Sequence, residues 1–151
     1  MRWLSLGMHV SDASASALAA ALGRGALLRL QRLSLNEAAI GDAGLVALAP
    51  ALRRLPALEE LSLGCNPFGD EGLAALVPPP SPAGAPPTPT GGLTNLEVLC
   101  LSLTQVADAG CAALTSALDS GALPSIKTRR ARYGIITHGT PASAAAKAAL
   151  Q

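Results

Sequence analysis

Aromatic side chains are almost missing from this chain, which has one Trp, one Tyr and one Phe in 151 residues. A core keyed by bulky rings is therefore excluded, although half of the residues are apolar. The interior has to be built from Leu, Ala and Val, which suits many thin, similar layers better than one large centre. Net charge is scarce as well. Eleven basic side chains against ten acidic ones leave a formal +1, so bulk charge points to neither nucleic acid nor an anionic membrane. Three cysteines, Cys65, Cys100 and Cys111, form no CxxC pair. Their odd number and wide spacing fit a reducing compartment, and a cytoplasmic location is expected.

The groups that carry chemistry are also few. His9 and His138 are the only histidines, and neither has a metal-ligand spacing. There is no GxSxG elbow and no GxxxxGK(S/T) loop. The expectation is a non-enzyme with no cofactor, metal or small-molecule substrate. The start of the chain reaches a charge at Asp12 without a continuous apolar run, which makes a poor secretory signal. The Ala-rich stretch 13–22 is too short to span a bilayer.

What the sequence does contain is repetition. Sliding Leu33-Ser34-Leu35 by 28 places it on Leu61-Ser62-Leu63. The same shift carries Leu30 to Leu58, Ile40 to Phe68, Gly41-Asp42 to Gly69-Asp70, Gly44-Leu45 to Gly72-Leu73 and Leu48 to Leu76. A further shift of 38 reaches Leu96, Leu99, Leu101, Val106, Asp108, Gly110 and Leu114. A partial unit precedes these, with Leu4-Ser5-Leu6, Asp12, Leu18 and Leu22. A degraded one follows, with Thr140-Pro141 over Asn66-Pro67 and the chain's last Leu150 over Leu76.

Each unit changes period midway. Leu30-x-x-Leu33-x-Leu35 ends in the alternation of a strand, whereas Leu45, Leu48, Leu52 and Leu55 have the spacing of one helix face. Gly-Asp-Ala-Gly lies between, and Asp42 reads as an N-cap whose carboxylate takes the free N–H groups of its own helix; Asp12, Asp70 and Asp108 share its phase. Strands are predicted at 3–6, 32–35, 60–63 and 98–101, and helices at 13–22, 43–54, 71–77 and 109–118. Parallel strands repeat about every 4.8 Å and helices about every 10 Å. The stack must therefore curve with the strands inside. The fold class is an α/β solenoid, a horseshoe with a parallel sheet on its concave side and helices on its convex side.

The pattern LxxLxLxxN-x-(I/F)GDxGxxxL, clearest as LEELSLGCNPFGDEGLAAL over 58–76, resembles the leucine-rich repeats of ribonuclease-inhibitor-like proteins. The resemblance covers 1–118 with one interruption, and 135–151 weakly. Such repeats serve in ribonuclease inhibitors, NOD-like receptors and Ran GTPase-activating proteins. It therefore implies a fold and a binding role without naming a partner. The Asn of the pattern reads Ala38, Asn66, Thr104 and Thr140. One side-chain amide is available for the bends, and the backbone around Ala38 is expected to fall to water or to other backbone, in a stack less rigid than one built on the consensus.

Two segments leave the pattern. The insertion 77–92 carries seven prolines and reads as a surface insertion, with polyproline II ligand as the functional alternative. The segment 124–134 is irregular and basic, with Lys127, Arg129, Arg130, Arg132 and Tyr133. It reads as a solvated connector, with a nuclear or nucleic-acid role as the alternative. The domain reading is one leucine-rich-repeat domain over 1–151.

The phase-matched aspartates sit on helices about 10 Å apart, too far to share a Ca²⁺ with ligands at about 2.5 Å. Cys65 and Cys100 are out of phase by about 10 Å along a strand, too far for a disulfide. Cys111 takes the place of Leu45 and Leu73 and reads as a buried hydrophobe.

The functional reading is a non-catalytic protein-binding module. In LxxLxL the leucines point inward, so the residues between them face the concave side. That face is expected to hold Trp3, Ser5 and Gly7, then Arg32, Ser34 and Asn36, then Glu60, Ser62 and Gly64, then Val98, Cys100 and Ser102. The partner-binding candidates are Trp3, Arg32, Ser34, Asn36, Glu60, Ser62 and Cys100. Self-association through the open N-terminal edge at Met1, Leu4 and Leu6 is a second expectation. The alternatives are a GTPase regulator of Ran GTPase-activating type and, from the start within a repeat, a fragment of a longer NOD-like-receptor-type array.

Overall fold

The computed structural model describes residues 2–7, 10–25, 27–55, 57–76, 95–119 and 135–148. Met1, His9, the insertion 77–92 and the basic segment 124–134 lie outside the described residues. In chain order the elements are β1 (Trp3–Ser5), α1 (Asp12–Gly23), β2 (Arg32–Ser34), α2 (Asp42–Leu52), β3 (Glu60–Ser62), α3 (Asp70–Leu76), β4 (Val98–Cys100), α4 (Asp108–Asp119), β5 (Ile135–Ile136) and α5 (Ala144–Ala148). The strands form one parallel sheet in sequence order. Leu4, Leu33, Leu61 and Leu99 stand in one register, with Ile135 beside Leu99. Each helix packs on the next, which gives the expected open solenoid. Among the described residues, no helix is long and apolar enough to cross a membrane.

The leucines do what their spacing requires. Leu30, Leu33, Leu35, Ile40, Leu45, Leu48 and Leu52 of the second unit are buried, and so are Leu58, Leu61, Leu63, Phe68, Leu73 and Leu76 of the third. Fully burying each such side chain contributes roughly 1.5–3 kcal/mol, so each layer is held mainly by its own leucines.

The fifth unit is thinner. Thr137 and Thr140 fill places that Leu101 and Thr104 fill one unit earlier. Lys147 stands in the phase of Leu45, Leu73 and Cys111 and donates from Nζ to the Thr140 carbonyl at 2.9 Å. Its strand and helix lay beyond the predicted elements, because Ile-Ile-Thr does not show the Leu-x-Leu signature.

Two expectations are corrected. The aspartates do not cap their own helices. Helices α1 and α2 begin at Asp12 and Asp42, behind Ser11 and Gly41, and neither of these N-cap residues makes a side-chain cap bond. Each carboxylate instead reaches the next unit. Asp42 Oδ1 accepts from Gly69 N and Gly72 N, both at 2.8 Å. Asp70 Oδ1 accepts from Ala107 N at 2.7 Å and Gly110 N at 2.9 Å. Asp12 takes Gly41 N at 2.8 Å and Asp108 takes Ser143 N at 2.6 Å. One or two donors at the start of each of α2 to α5 are thus satisfied by the preceding repeat, where a carboxylate also meets the positive end of the helix dipole. The ladder has a polarity, with the acceptor behind and the donors ahead.

The backbone around Ala38 is not left to water either. Asn66, in the next unit, accepts from Ala38 N at 3.0 Å and Ile40 N at 3.1 Å. The missing amide of the second unit is supplied by the third.

The bends after β2 to β5 each hold one left-handed residue in the same phase. Glu37, Cys65 and Leu103 hold it at φ of 56°, 57° and 57°, and Gly139 at 73° in the same phase of the fifth unit. The second unit has an additional one, Ala39 at 54°. Such a backbone costs a side-chain-bearing residue about 1–2 kcal/mol, against a smaller entropic penalty for glycine in the unfolded chain. Ala39→Gly, at an exposed site, is expected to raise stability by about 0.5–1 kcal/mol, read as a shift in the urea midpoint. A fall in the midpoint would mean that this bend carries no strain.

Candidate interaction face

Because the strands are parallel and in register, equivalent positions line up across the sheet. Trp3, Arg32, Glu60 and Val98 form one column, and Ser5, Ser34, Ser62 and Cys100 the next. The buried partners are the leucines between them, so these columns are the solvent side of the sheet. Trp3 is 68% exposed, and Ser34, Glu60, Ser62 and Cys100 are half-buried. The structure therefore brings together the residues expected on this face.

Two of them are paired in a way the sequence reading did not see. Arg32 Nε lies 3.5 Å from Glu60 Oε2, with the side chains 67% and 41% exposed. An exposed pair like this contributes roughly 0–1 kcal/mol, so its interest is in the pattern of charge it presents. The signal was available: equivalent positions of successive repeats carry opposite signs.

Asn36, expected on this face, is half-buried and also bonds within the chain. Its Oδ1 accepts from Gly64 N at 2.7 Å, so it ties β2 to the bend after β3. Close approach explains the glycine: a Cβ at Gly64 would stand 3.2 Å from both Asn36 Oδ1 and the Ser102 carbonyl. The Cys100 thiol lies 3.6 Å from the Ser102 hydroxyl as its donor.

A further row lies beside these columns, at the start of the strands. Gln31 N donates to the Arg2 carbonyl at 2.8 Å, Glu59 N to Gln31 at 2.7 Å and Glu97 N to Glu59 at 2.7 Å. Arg2, Glu59 and Glu97 are exposed.

All three cysteines are free: Cys65 exposed, Cys100 half-buried and Cys111 buried. Burial pushes the Cys111 thiol up, and the carboxylates of Asp108 and Asp70 push it further, with Lys147 opposing. It stays a neutral core group. Among the described residues, no group of His, Cys, Asp and Glu is placed to hold a metal ion.

On the convex side Arg53 is half-buried, with its Nε enclosed and unpaired, whereas Arg54 is exposed. Changing Arg53 would therefore disturb packing, and Arg54 is the better probe of that surface.

Comparison with known proteins agrees with this architecture. A family model described as a leucine-rich repeat matches residues 30–49 and 55–77. These stretches are β2 with most of α2, and β3 with α3. No curated protein matches the chain. The matched stretches are thus leucine-rich repeats set in an α/β solenoid fold, and domains built of such repeats generally mediate contacts between proteins.

Proposed function

We propose that this leucine-rich-repeat chain is a non-catalytic protein-binding module that presents its strand face to a partner. The observation that carries the reading is the division of the sheet. Every inward leucine of β2 to β4 is buried, while Trp3, Arg32 and Glu60 stand open in one aligned column. Trp and Arg are frequent anchors of binding energy, and the adjoining Ser column leaves room for a partner to come close. The same reading takes residues 1–151 as one domain, with 77–92 as an insertion between repeats and 124–134 as a basic irregular segment. A repeat of 28 residues with a regular helix on its outer side supports the ribonuclease-inhibitor-like subtype.

The test is to capture a binding protein and measure its affinity for variants of the chain. Trp3→Ala and Arg32→Glu are each expected to weaken binding about tenfold or more, by roughly 1.4 kcal/mol or above. Arg54→Glu, on the convex side, should leave it unchanged. Loss with Arg54→Glu and retention with the other two would place the interface on the helices instead.

A further inference from the structure

We infer that the strand face is self-complementary and docks a second copy of this chain. The inference rests on the reading of that face as a protein-binding surface and names its partner. The face is antisymmetric in charge about the line between β2 and β3. Arg32 and Glu60 flank that line. One strand further out on each side, in the row at the strand starts, stand Arg2 and Glu97. At the margins of the Arg32 column stand Trp3 and Val98. Along the Arg32 column each position thus has its complement at the mirror position, plus facing minus and apolar facing apolar; in the row beside it Arg2 mirrors Glu97, and Gln31 mirrors Glu59 as an amide against a carboxylate.

A twofold axis that lies between two such faces, parallel to the strands and over that line, maps the second strand of one copy onto the third of the other. Arg32 then stands over the second copy's Glu60, Arg2 over its Glu97 and Trp3 over its Val98. This is the condition an isologous interface has to meet, that the contact from i to j is repeated from j to i. The intramolecular Arg32–Glu60 pair is kept and closes into a ring of four charges of alternating sign. Ser34 opposes Ser62 at the centre, where small side chains leave room for the longer Arg32 and Glu60 to reach across. Trp3, exposed and large, lies at the margin, where two concave faces approach most nearly.

Stacking edge to edge in the manner of a further repeat is less well provided for. Ser14 holds the place of Gly44, Gly72 and Gly110, against which the preceding carboxylate would pack, and Ala144 holds the place of the aspartates. A copy stacked in phase would therefore lack the staple that joins successive units within the chain. The four strands that carry these residues, β1 to β4, span roughly 15–20 Å, below the size of a stable interface. The association is correspondingly weak and sensitive to salt.

The experiment is sedimentation of the full chain at about 50 mM and about 500 mM salt. The expected result is a dimer whose dissociation constant rises about tenfold or more with salt. Arg32→Glu and Glu60→Arg, at exposed side chains, should each leave a folded monomer by circular dichroism. Mixing the two variants should restore a one-to-one complex, because each then meets the opposite charge. A chain that stays monomeric at millimolar concentration would overturn the inference. So would a dimer indifferent to both charge changes, or a mixture that fails to associate. If another protein binds in a manner that depends on Trp3 and Arg32 while the chain alone remains monomeric, the dimer fails and the binding role stands. If the charge-dependent dimer forms and every other partner binds the helical side, the dimer stands and the broader role fails.

Discussion

Replacing Asn66 by Ala is expected to cost about 3–5 kcal/mol, because several buried backbone groups would lose a side-chain partner at once, at roughly 1–3 kcal/mol each before water or backbone relieves some of them. The side chain is buried. Its Oδ1 accepts from Ala38 N at 3.0 Å and Ile40 N at 3.1 Å. Its Nδ2 donates to the carbonyls of Leu35 at 2.8 Å, Leu63 at 2.9 Å and Gly64 at 3.1 Å. Both sides of the amide are in use, so Asn66→Asp does not rescue it: a carboxylate keeps the acceptor and turns a charge on three carbonyls. Thr104 is the internal control. Its hydroxyl donates a single bond, to the Leu101 carbonyl at 2.8 Å, and Thr104→Ala should cost about 1 kcal/mol. Urea unfolding of both variants decides the matter. If Asn66→Ala costs no more than Thr104→Ala, Asn66 does not bridge two units. The effect reaches the strand face, because the groups it holds lie in the segments that directly follow β2 and β3, next to Ser34 and Ser62.

The same residue shows where sequence reading stops. The positions of β1 to β4 were legible to within one residue, because the in-and-out alternation of Leu33, Ser34 and Leu35 is local and register follows from repetition; β5, without that signature, was not. The face was legible for the same reason, since Trp3, Arg32 and Glu60 had to align once the leucines did. What Asn66 and the aspartates touch was not legible. Their partners in the neighbouring unit lie 26 to 40 residues away along the chain, and a carboxylate before a helix looks like an N-cap for that helix whichever helix it serves. The left-handed bends were hidden too, because Glu37, Cys65 and Leu103 carry side chains where a glycine would have announced the turn. Only Gly139 gave that signal, in the unit whose leucines are gone.

The glycine of Gly-Asp-x-Gly acquires its reason from the ladder, and so does the last prediction. Gly72→Ala is expected to destabilise the fold by about 2–4 kcal/mol, from overpacking of about 1–3 kcal/mol together with disturbed charge-assisted hydrogen bonds. In an exposed helix the same change would be favourable by about 1 kcal/mol. Here a Cβ would stand 2.9 Å from Asp42 Oδ1 and 3.2 Å from Asp42 Cα. The carboxylate cannot withdraw without releasing Gly69 N and Gly72 N, both held at 2.8 Å. Gly110 repeats the arrangement one unit on, where a Cβ would lie 2.5 Å from Asp70 Oδ1. A double-mutant cycle separates this cause from mere loss of backbone freedom. Asp42→Ala alone loses the staple, but in Asp42→Ala with Gly72→Ala the new methyl occupies space the carboxylate has left and gains the helix preference of alanine. The double variant should therefore be more stable than the sum of the singles by about 1 kcal/mol or more. Simple additivity would show that glycine is required there for some reason other than the carboxylate behind it. The polarity of the ladder makes the outcome directional. Changing Gly72 loosens the joint between the second and third units, the one that sets Arg32 beside Glu60, and leaves the joint made by Asp70 to the fourth unit intact.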